Sequence, residues 1–215
     1  MRDIIAYAEE TNKPICLVSI SFKDVFDKMS HTFVFEILRE YGISENFCSQ
    51  LQKIYVDATS TLTLNGHKST PIKVLSGVHQ CCLLSILPFA LCTNHLLINL
   101  DKKLNGIYIR HNSTKTTTVA YVDGIVIIVT QPEVIDIIKE TIQDYMHATA
   151  TCISANKSRA ISLGSWNKST PVMKIKYHED IKSPGFHMTT NIQESAKIMS
   201  NIYCKDSRTN TGSLP

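Results

Sequence analysis

The 215-residue sequence has little glycine and proline, with 8 and 7 residues, and only one tryptophan. So few chain breakers, together with an apolar fraction of 43%, exclude a disordered chain and are typical of a globular domain. A strong charge of either sign is also lacking, because the formal net charge is only +3. This mild excess of cations is compatible with a nucleic-acid partner but does not predict one, since nucleic-acid-binding proteins usually have a clustered basic face.

The sequence shows neither an apolar leader at its start nor the ligand spacing of a zinc site. The seven cysteines have no repeated spacing and the eight histidines are isolated from one another, which disfavours a disulfide framework and a zinc centre. We therefore expect reduced thiols and an intracellular protein, either nuclear or cytoplasmic. The oligomeric state stays open.

Residues 81–100 form the longest apolar stretch, and they approach the length of a membrane span. Polar residues and a proline interrupt this stretch at Ser85, Pro88, Thr93, Asn94, His95 and Asn99. These interruptions favour a buried core helix, and no membrane partner is expected.

Two short apolar runs, residues 15–22 and 125–129, are too short and too β-branched to favour helices, and they predict buried strands. Asp123 and Gly124 separate the second run from the apolar residues 119–121, which predicts a hairpin with the Asp123 carboxylate near its tip. This stretch alone favours Asp123 as a simple turn former. A functional role for it depends on the rest of the chain.

Between these runs the pattern predicts helices that begin after Ser30 and Ser44, both suitable N-caps. Asn65-Gly66 predicts a tight hairpin whose return arm, residues 67–75, is an exposed edge strand. A long helix over residues 86–104 follows. Residues 153–163 predict a strand or irregular structure, and residues 171–186 leave room for one more hairpin. The sequence thus predicts a mixed, α+β fold.

Four short motifs occur in a specific order within this pattern. They are ISFKDVFD at residues 20–27, followed by His31, SGVHQCCLLSILPF at 76–89, AYVDG at 120–124, and SANKS at 154–158 before Leu163-Gly164. In order and spacing they resemble the motifs of reverse transcriptases from non-LTR retrotransposons of the long-interspersed-element type. The resemblance covers residues 13–164 almost without a gap and extends more weakly over 182–195.

This resemblance implies a polymerase palm-like antiparallel sheet packed on helices, with fingers and thumb largely missing. It also implies DNA synthesis from an RNA template, a DNA primer and dNTPs, by a mechanism in which carboxylates bridge two Mg²⁺ ions. In this scheme Asp123 is the catalytic and metal-binding carboxylate, and Lys157 lies near the leaving pyrophosphate. The implied nucleotide- and template-binding positions are Phe26, Gly77, Gln80 and Tyr121.

The sequence departs from the family pattern at the carboxylate positions. Ser21 stands where the family has its first metal-binding aspartate, and Gly124 stands where it has the second hairpin aspartate. Asp123 alone remains of the three. Asp24 and Asp27 are near in sequence, but strand and turn geometry do not place either where Ser21 points. We therefore expect weakened magnesium binding and a catalytically inactive domain.

The loop expected to contact nucleic acid departs from the pattern as well. Ser76 and His79 replace two arginines, which removes bidentate phosphate donors, and Cys81 replaces a glycine. Weak nucleic-acid binding at most is expected. Simpler roles are a core ring for Phe26, a loop hydrogen bond for Gln80 and a surface cation for Lys157. The family match favours the inherited site positions.

The resemblance also predicts how the chain is divided. Residues 1–164 are expected to form a reverse-transcriptase-like palm with partial fingers, 165–205 a remnant of the palm–thumb junction, and 206–215 a disordered tail. Three hypotheses for function follow. The chain is an inactive polymerase domain, a non-catalytic RNA- or DNA-binding module, or the product of a decayed reading frame without a selected function.

Overall fold

The computed structural model of the chain describes residues 2–78, 83–108, 115–121, 124–183 and 186–189. The helices are α1 Arg2–Thr11, α2 Val25–Lys28, α3 His31–Glu40, α4 Glu45–Val56, α5 Leu83–Lys103 and α6 Val134–Thr149. The long strands are β1 Ile15–Lys23, β6 Thr118–Tyr121, β7 Gly124–Val129, β9 Arg159–Leu163, β10 Asp180–Ser183 and β11 Phe186–Thr189. The two-residue strands are β2 Thr59–Ser60, β3 Thr63–Leu64, β4 His67–Lys68, β5 Ile72–Lys73 and β8 Cys152–Ile153.

The main sheet is centred on β1, as the apolar run at residues 15–22 predicts. Its order is β6-β7-β1-β8, and β9 also pairs with β1. The β1–β7 ladder is antiparallel and runs from the pair Cys16 and Val129 to the pair Ser21 and Gly124. All six residues of β7 are buried, which explains the continuous apolar run in place of an alternating pattern. The predicted hairpin beside the end of β1 is therefore confirmed.

The chain forms two compact units. The first contains Met1–Ser21, Leu100–Lys139 and Ile153–Pro215, and the second contains Phe22–Asn99 and Glu140–Cys152. The predicted divisions after residues 164 and 205 remain predictions, and the predicted tail, 206–215, lies outside the described residues.

The core of the first unit lies on one face of the sheet. Alternate residues of β1, β7 and β9 contribute to it, in keeping with the two-residue period of a strand. Helix α1 adds a buried apolar stripe, and Ile181 of β10 joins it. The core comprises Ile4, Ile5, Ala8, Ile15, Leu17, Ile107, Val126, Ile128, Ile161, Leu163 and Ile181.

Helices α3 and α4 of the second unit begin at the predicted caps. The hydroxyl oxygens of Ser30 and Ser44 accept hydrogen bonds from the amides of Phe33 and Phe47 at 3.5 and 3.4 Å. Helix α4 buries Cys48, Leu51 and Tyr55, whereas Phe47 and Ile54 are exposed. The sequence offers two overlapping apolar stripes on this helix, and tertiary packing selects one of them.

The segment from Thr59 to Lys73 forms two small antiparallel ladders, β2–β5 and β3–β4. Asn65 and Gly66 both have positive φ, at 49° and 80°, as the predicted tight turn requires. The predicted return arm is exposed but breaks into two short strands on either side of Pro71, which cannot donate to a ladder.

Helix α5 buries Phe89, Cys92, Leu96 and Leu100 at helical spacing, and it exposes Leu84, Ile86 and Leu87. Within the described residues it is the one helix whose length and composition would allow it to cross a membrane. The core helix of a soluble protein can have the same length and composition.

Two predictions for the last part of the chain were incomplete. Residues 153–163 contain a turn and then a regular strand, β9, which pairs with β1 from Ser19 to Ile15. The later hairpin is formed by β10 and β11 and therefore lies closer to the C-terminus than residues 171–186 suggested.

Candidate functional site

The two altered carboxylate positions face each other in the first unit. Ser21 and Gly124 are the last directly opposed pair of the β1–β7 ladder, and opposed residues have Cα atoms about 4.5–5.5 Å apart. Gly124 is buried and Ser21 is half-buried. Tyr121, which is 51% exposed, pairs with Gly124 across the hairpin. The tip between them, which carries Asp123, lies outside the described residues.

On the edge of β1 away from β7, the backbone of Ser21 is hydrogen-bonded to the turn that contains Lys157. The amide of Ser21 donates to Oγ of Ser158 at 3.2 Å, and the amide of Ser154 donates to the carbonyl of Ser21 at 2.8 Å. The Ser158 hydroxyl in turn donates to the carbonyl of Ser154 at 2.9 Å. Both the amide and the carbonyl of Ser21 are thus hydrogen-bonded to this turn.

Lys157 is exposed within this turn, and its amide donates to the Ser154 carbonyl at 3.1 Å. The fold therefore brings Ser21, Gly124 and the turn of Lys157 to one end of β1. The specific role of Lys157 stays a prediction.

Phe26 and Gly77, in the second unit, belong to one local cluster. The Phe26 ring is half-buried and stacks on Phe89, with ring centroids 4.1 Å apart and planes 26° apart. The amide of Val78 donates to the Phe26 carbonyl at 2.6 Å, and the amide of Gly77 donates to the Met29 carbonyl at 2.9 Å. Two predicted binding positions are thus joined through their backbones.

The conformation of the loop requires glycine at position 77. Its φ is +89°, and a Cβ added there would lie 2.5 Å from the carbonyl oxygen of Asp27. The Ser76 hydroxyl donates to that same carbonyl at 3.1 Å, and the Nε2 of His31 is 2.7 Å from the Gly77 carbonyl. Gln80, the remaining predicted binding residue, lies outside the described residues.

The residues opposite each other at the end of β1 do not fit a two-magnesium site. Ser21 offers a neutral hydroxyl and Gly124 has no side chain, whereas magnesium in proteins prefers carboxylates. In the part of the chain that the structure describes, no three His, Cys, Asp or Glu side chains are grouped so that they could hold a metal ion. Asp24 is exposed and has a left-handed φ of 51° at the start of α2.

Sequence reasoning gave no role to two of the side chains that build these clusters. Ser158 is the last residue of the SANKS motif and His31 follows the first motif, but the sequence does not show what either side chain contacts. Their contacts with Ser21 and Gly77 span 137 and 46 residues. Such long-range hydrogen bonds depend on the tertiary fold.

Helices and an antiparallel sheet centred on β1 make this an α+β fold, the class predicted for a polymerase palm. The family model for reverse transcriptase (RNA-dependent DNA polymerase) matches residues 1–197. The chain belongs to this family.

Two curated relatives come from transposable elements. The chain is 24% identical over 186 residues to the Transposon TX1 uncharacterized 149 kDa protein of Xenopus laevis, covering 86% of this chain and 13% of that protein. It is 19% identical over 160 residues to the retrovirus-related Pol polyprotein from type-2 retrotransposable element R2DM of Drosophila melanogaster, covering 74% and 15%. The chain thus spans a small part of these relatives. The resemblance to reverse transcriptases of non-LTR retrotransposons is confirmed.

Solved telomerase structures share the fold. Apo telomerase from Candida tropicalis, truncated from its C-terminal domain, aligns with a TM-score of 0.60 at 14% identity, over 88% of this chain and 38% of that one. The same organism's telomerase in complex with a TWJ fragment of telomeric RNA aligns with a TM-score of 0.60 at 12% identity, over 87% and 30%. At these identities the likeness shows the fold alone, and the predicted palm-like class is confirmed.

Proposed function

We propose that this chain is a reverse transcriptase domain of retrotransposon origin that no longer catalyses DNA synthesis. The observation that supports this most directly is the pairing of Ser21 with Gly124. These are two of the three positions at which the family motifs carry aspartate. Neither residue can supply a negative charge.

The chemistry explains why this loss is decisive. In two-metal phosphoryl transfer, carboxylates offset the repulsion between the divalent ions and fix the in-line geometry. Asp123 is then the only carboxylate left of three. Because each ~1.4 kcal/mol of lost transition-state stabilisation slows a reaction tenfold, the loss of several kcal/mol reduces the rate by orders of magnitude.

The test is primer extension on an RNA template with Mg²⁺ or Mn²⁺, comparing the unchanged chain with the double variant Ser21→Asp, Gly124→Asp. We expect no extension by the unchanged chain. Measurable extension by that chain would contradict the proposal. Extension by the double variant alone would identify the missing carboxylates as the cause. No extension by either protein would mean that other differences from the family also prevent the reaction.

We also propose that the domain retains weak, salt-sensitive contact with a hybrid of RNA template and DNA primer. The ordered loop at Gly77 and the exposed Lys157 support this, and the net charge of only +3 limits its strength. Each lost phosphate contact lowers the salt slope by roughly one unit and also lowers the affinity, so the few contacts that remain are easily competed by salt.

A fluorescence titration with a labelled hybrid at low and at physiological salt measures this contact. Binding that is detectable at low salt and lost at physiological salt is expected. Tight binding at physiological salt would favour a dedicated binding module, and no binding at low salt would favour a decayed reading frame.

A further inference from the structure

We propose that His31 is a positioning residue that holds the loop of residues 76–78 in the conformation needed for nucleic-acid contact. The inference rests on the proposed function, because it assigns the loop to the template-contacting part of the site. His31 has no role in the site that the sequence predicts. Its role follows from its position between two anchors.

The first anchor is a hydrogen bond to the loop. His31 is the first residue of α3 and is half-buried, and its Nε2 lies 2.7 Å from the carbonyl oxygen of Gly77. Because a carbonyl oxygen can only accept, Nε2 must carry the proton and donate it. This requirement fixes the tautomer of the neutral ring, since its single proton must sit on Nε2.

The second anchor is α5, the helix at the other end of the motif that spans residues 76–89. The His31 ring packs on Tyr55 with centroids 4.9 Å apart, and the Tyr55 hydroxyl lies 3.2 Å from Oγ of Ser85 in α5. Tyr55 and Ser85 are 4% and 2% exposed, so this contact is shielded from water. His31 therefore connects the loop before residues 79–82 with the helix after them.

The hydrogen bond from His31 complements the backbone bonds of the loop. The amides of Gly77 and Val78 already donate to the carbonyls of Met29 and Phe26. The carbonyl of Gly77 needs a donor of its own, because Gly77 is buried and an unsatisfied buried acceptor is destabilising. The His31 side chain supplies that donor.

A loop held in this way binds with a smaller entropic cost, because its backbone is already ordered before the ligand arrives. The loop belongs to the motif that carries Gln80, so its order bears on template contact. A failure to hold the carbonyl of Gly77 would release the loop without disturbing the central sheet.

Two substitutions separate the donor of His31 from its ring. His31→Gln keeps an N–H at the position of Nε2 and loses the ring, whereas His31→Phe keeps the ring against Tyr55 and loses the donor. We expect amide hydrogen exchange at Gly77 and Val78, measured by NMR, to be about tenfold faster in His31→Phe. The same amides should stay near the unchanged rates in His31→Gln.

The amides of the β1–β7 ladder serve as an internal control and should be unchanged in both variants. Unchanged exchange at Gly77 and Val78 in His31→Phe would overturn the proposal. Equal acceleration in the two variants would overturn it as well, because the ring and not the donor would then matter.

Titration with a labelled hybrid of RNA template and DNA primer at low salt links the loop to function. His31→Phe is expected to weaken binding severalfold, and His31→Gln to bind like the unchanged chain. Unchanged binding by His31→Phe despite faster exchange would overturn the functional part. If the unchanged chain does not bind the hybrid at all, the proposed function fails, whereas the exchange rates still decide whether His31 positions the loop.

Discussion

Gly77 packs so closely against Asp27 that a Cβ at position 77 would lie 2.5 Å from the Asp27 carbonyl oxygen. Substitution by alanine must therefore move the loop away from residues 26–29 in addition to straining the positive φ of +89°. We expect Gly77→Ala to lower the free energy of unfolding by roughly 2 kcal/mol more than a glycine replacement that strains φ alone.

Gly42→Ala is the matched control. Gly42 has a similar φ of +75°, but nothing lies within 4 Å of the position that its Cβ would take. Urea unfolding of both variants measures the difference. Equal destabilisation would mean that the contact with Asp27 is not as close as the geometry indicates.

The hydroxyl of Ser158 is expected to stabilise the end of β1. Ser158→Ala leaves the amide of Ser21 without its acceptor, which should cost about 1 kcal/mol. Ser154→Ala should be nearly neutral, because Ser154 contacts Ser21 and Ser158 through its backbone. Chemical denaturation of the two variants tests this, and a larger effect at Ser154 would contradict the assignment.

Burial should protect two cysteines from alkylation. It raises the pKa of Cys16 and of Cys92 to about 12, although a hydrogen bond with Tyr177 partly opposes the shift at Cys16. Both thiols therefore stay protonated at pH 8, and the thiolate is the reactive form. Cys152 is exposed.

Iodoacetamide at pH 8, followed by peptide mass spectrometry, should label Cys152 in the folded protein and label Cys16 and Cys92 only after denaturant is added. Rapid labelling of Cys16 in the folded protein would show that the sheet opens around β1 under native conditions, and rapid labelling of Cys92 would show that the packing of α5 opens.

Asp101 should make a small, pH-dependent contribution to stability. The hydroxyl of Thr117 donates to the carboxylate at 2.7 Å, and the ammonium of Lys115 lies 3.4 Å away. The hydrogen bond from Thr117 is the largest cause of a pKa of Asp101 below its usual value of 3.8, and Lys115 contributes further. A lowered pKa in the folded state means that the contribution is complete above pH 3.8 and declines as the pH falls through the folded-state value.

The melting temperatures of the unchanged chain and of Asp101→Asn, measured between about pH 2 and 7, test this sign. Their difference should be constant at neutral pH and should shrink in acid. A difference that grows as the pH falls would refute it.

The local features of the fold were predictable because their causes are local. The uninterrupted apolar run of β7 predicted a buried strand, and Ser30 and Ser44 marked the starts of α3 and α4. The turn at Asn65-Gly66 followed from the tolerance of both residues for positive φ.

The parts that sequence reasoning missed depend on contacts between distant segments. Nothing in the local sequence distinguishes Cys48 from Phe47 as the buried residue of α4, since either fits an apolar stripe. The resemblance implied that Ser21 and Gly124 stand at two metal-binding positions of the family, and the β1–β7 register shows that they lie opposite each other. The bonds from Ser158 and His31 became evident only once the fold brought their partners together.

The position of β1 has a consequence for how the chain folds. Its partners β7 and β9 are synthesised long after it. The Ser21 amide donates to a hydroxyl that lies 137 residues further along the chain. Contacts so distant in sequence form slowly, because the intervening chain must lose its freedom first. Until β7 and β9 emerge from the ribosome, β1 is an apolar strand with two unpaired edges, and such segments are prone to aggregation.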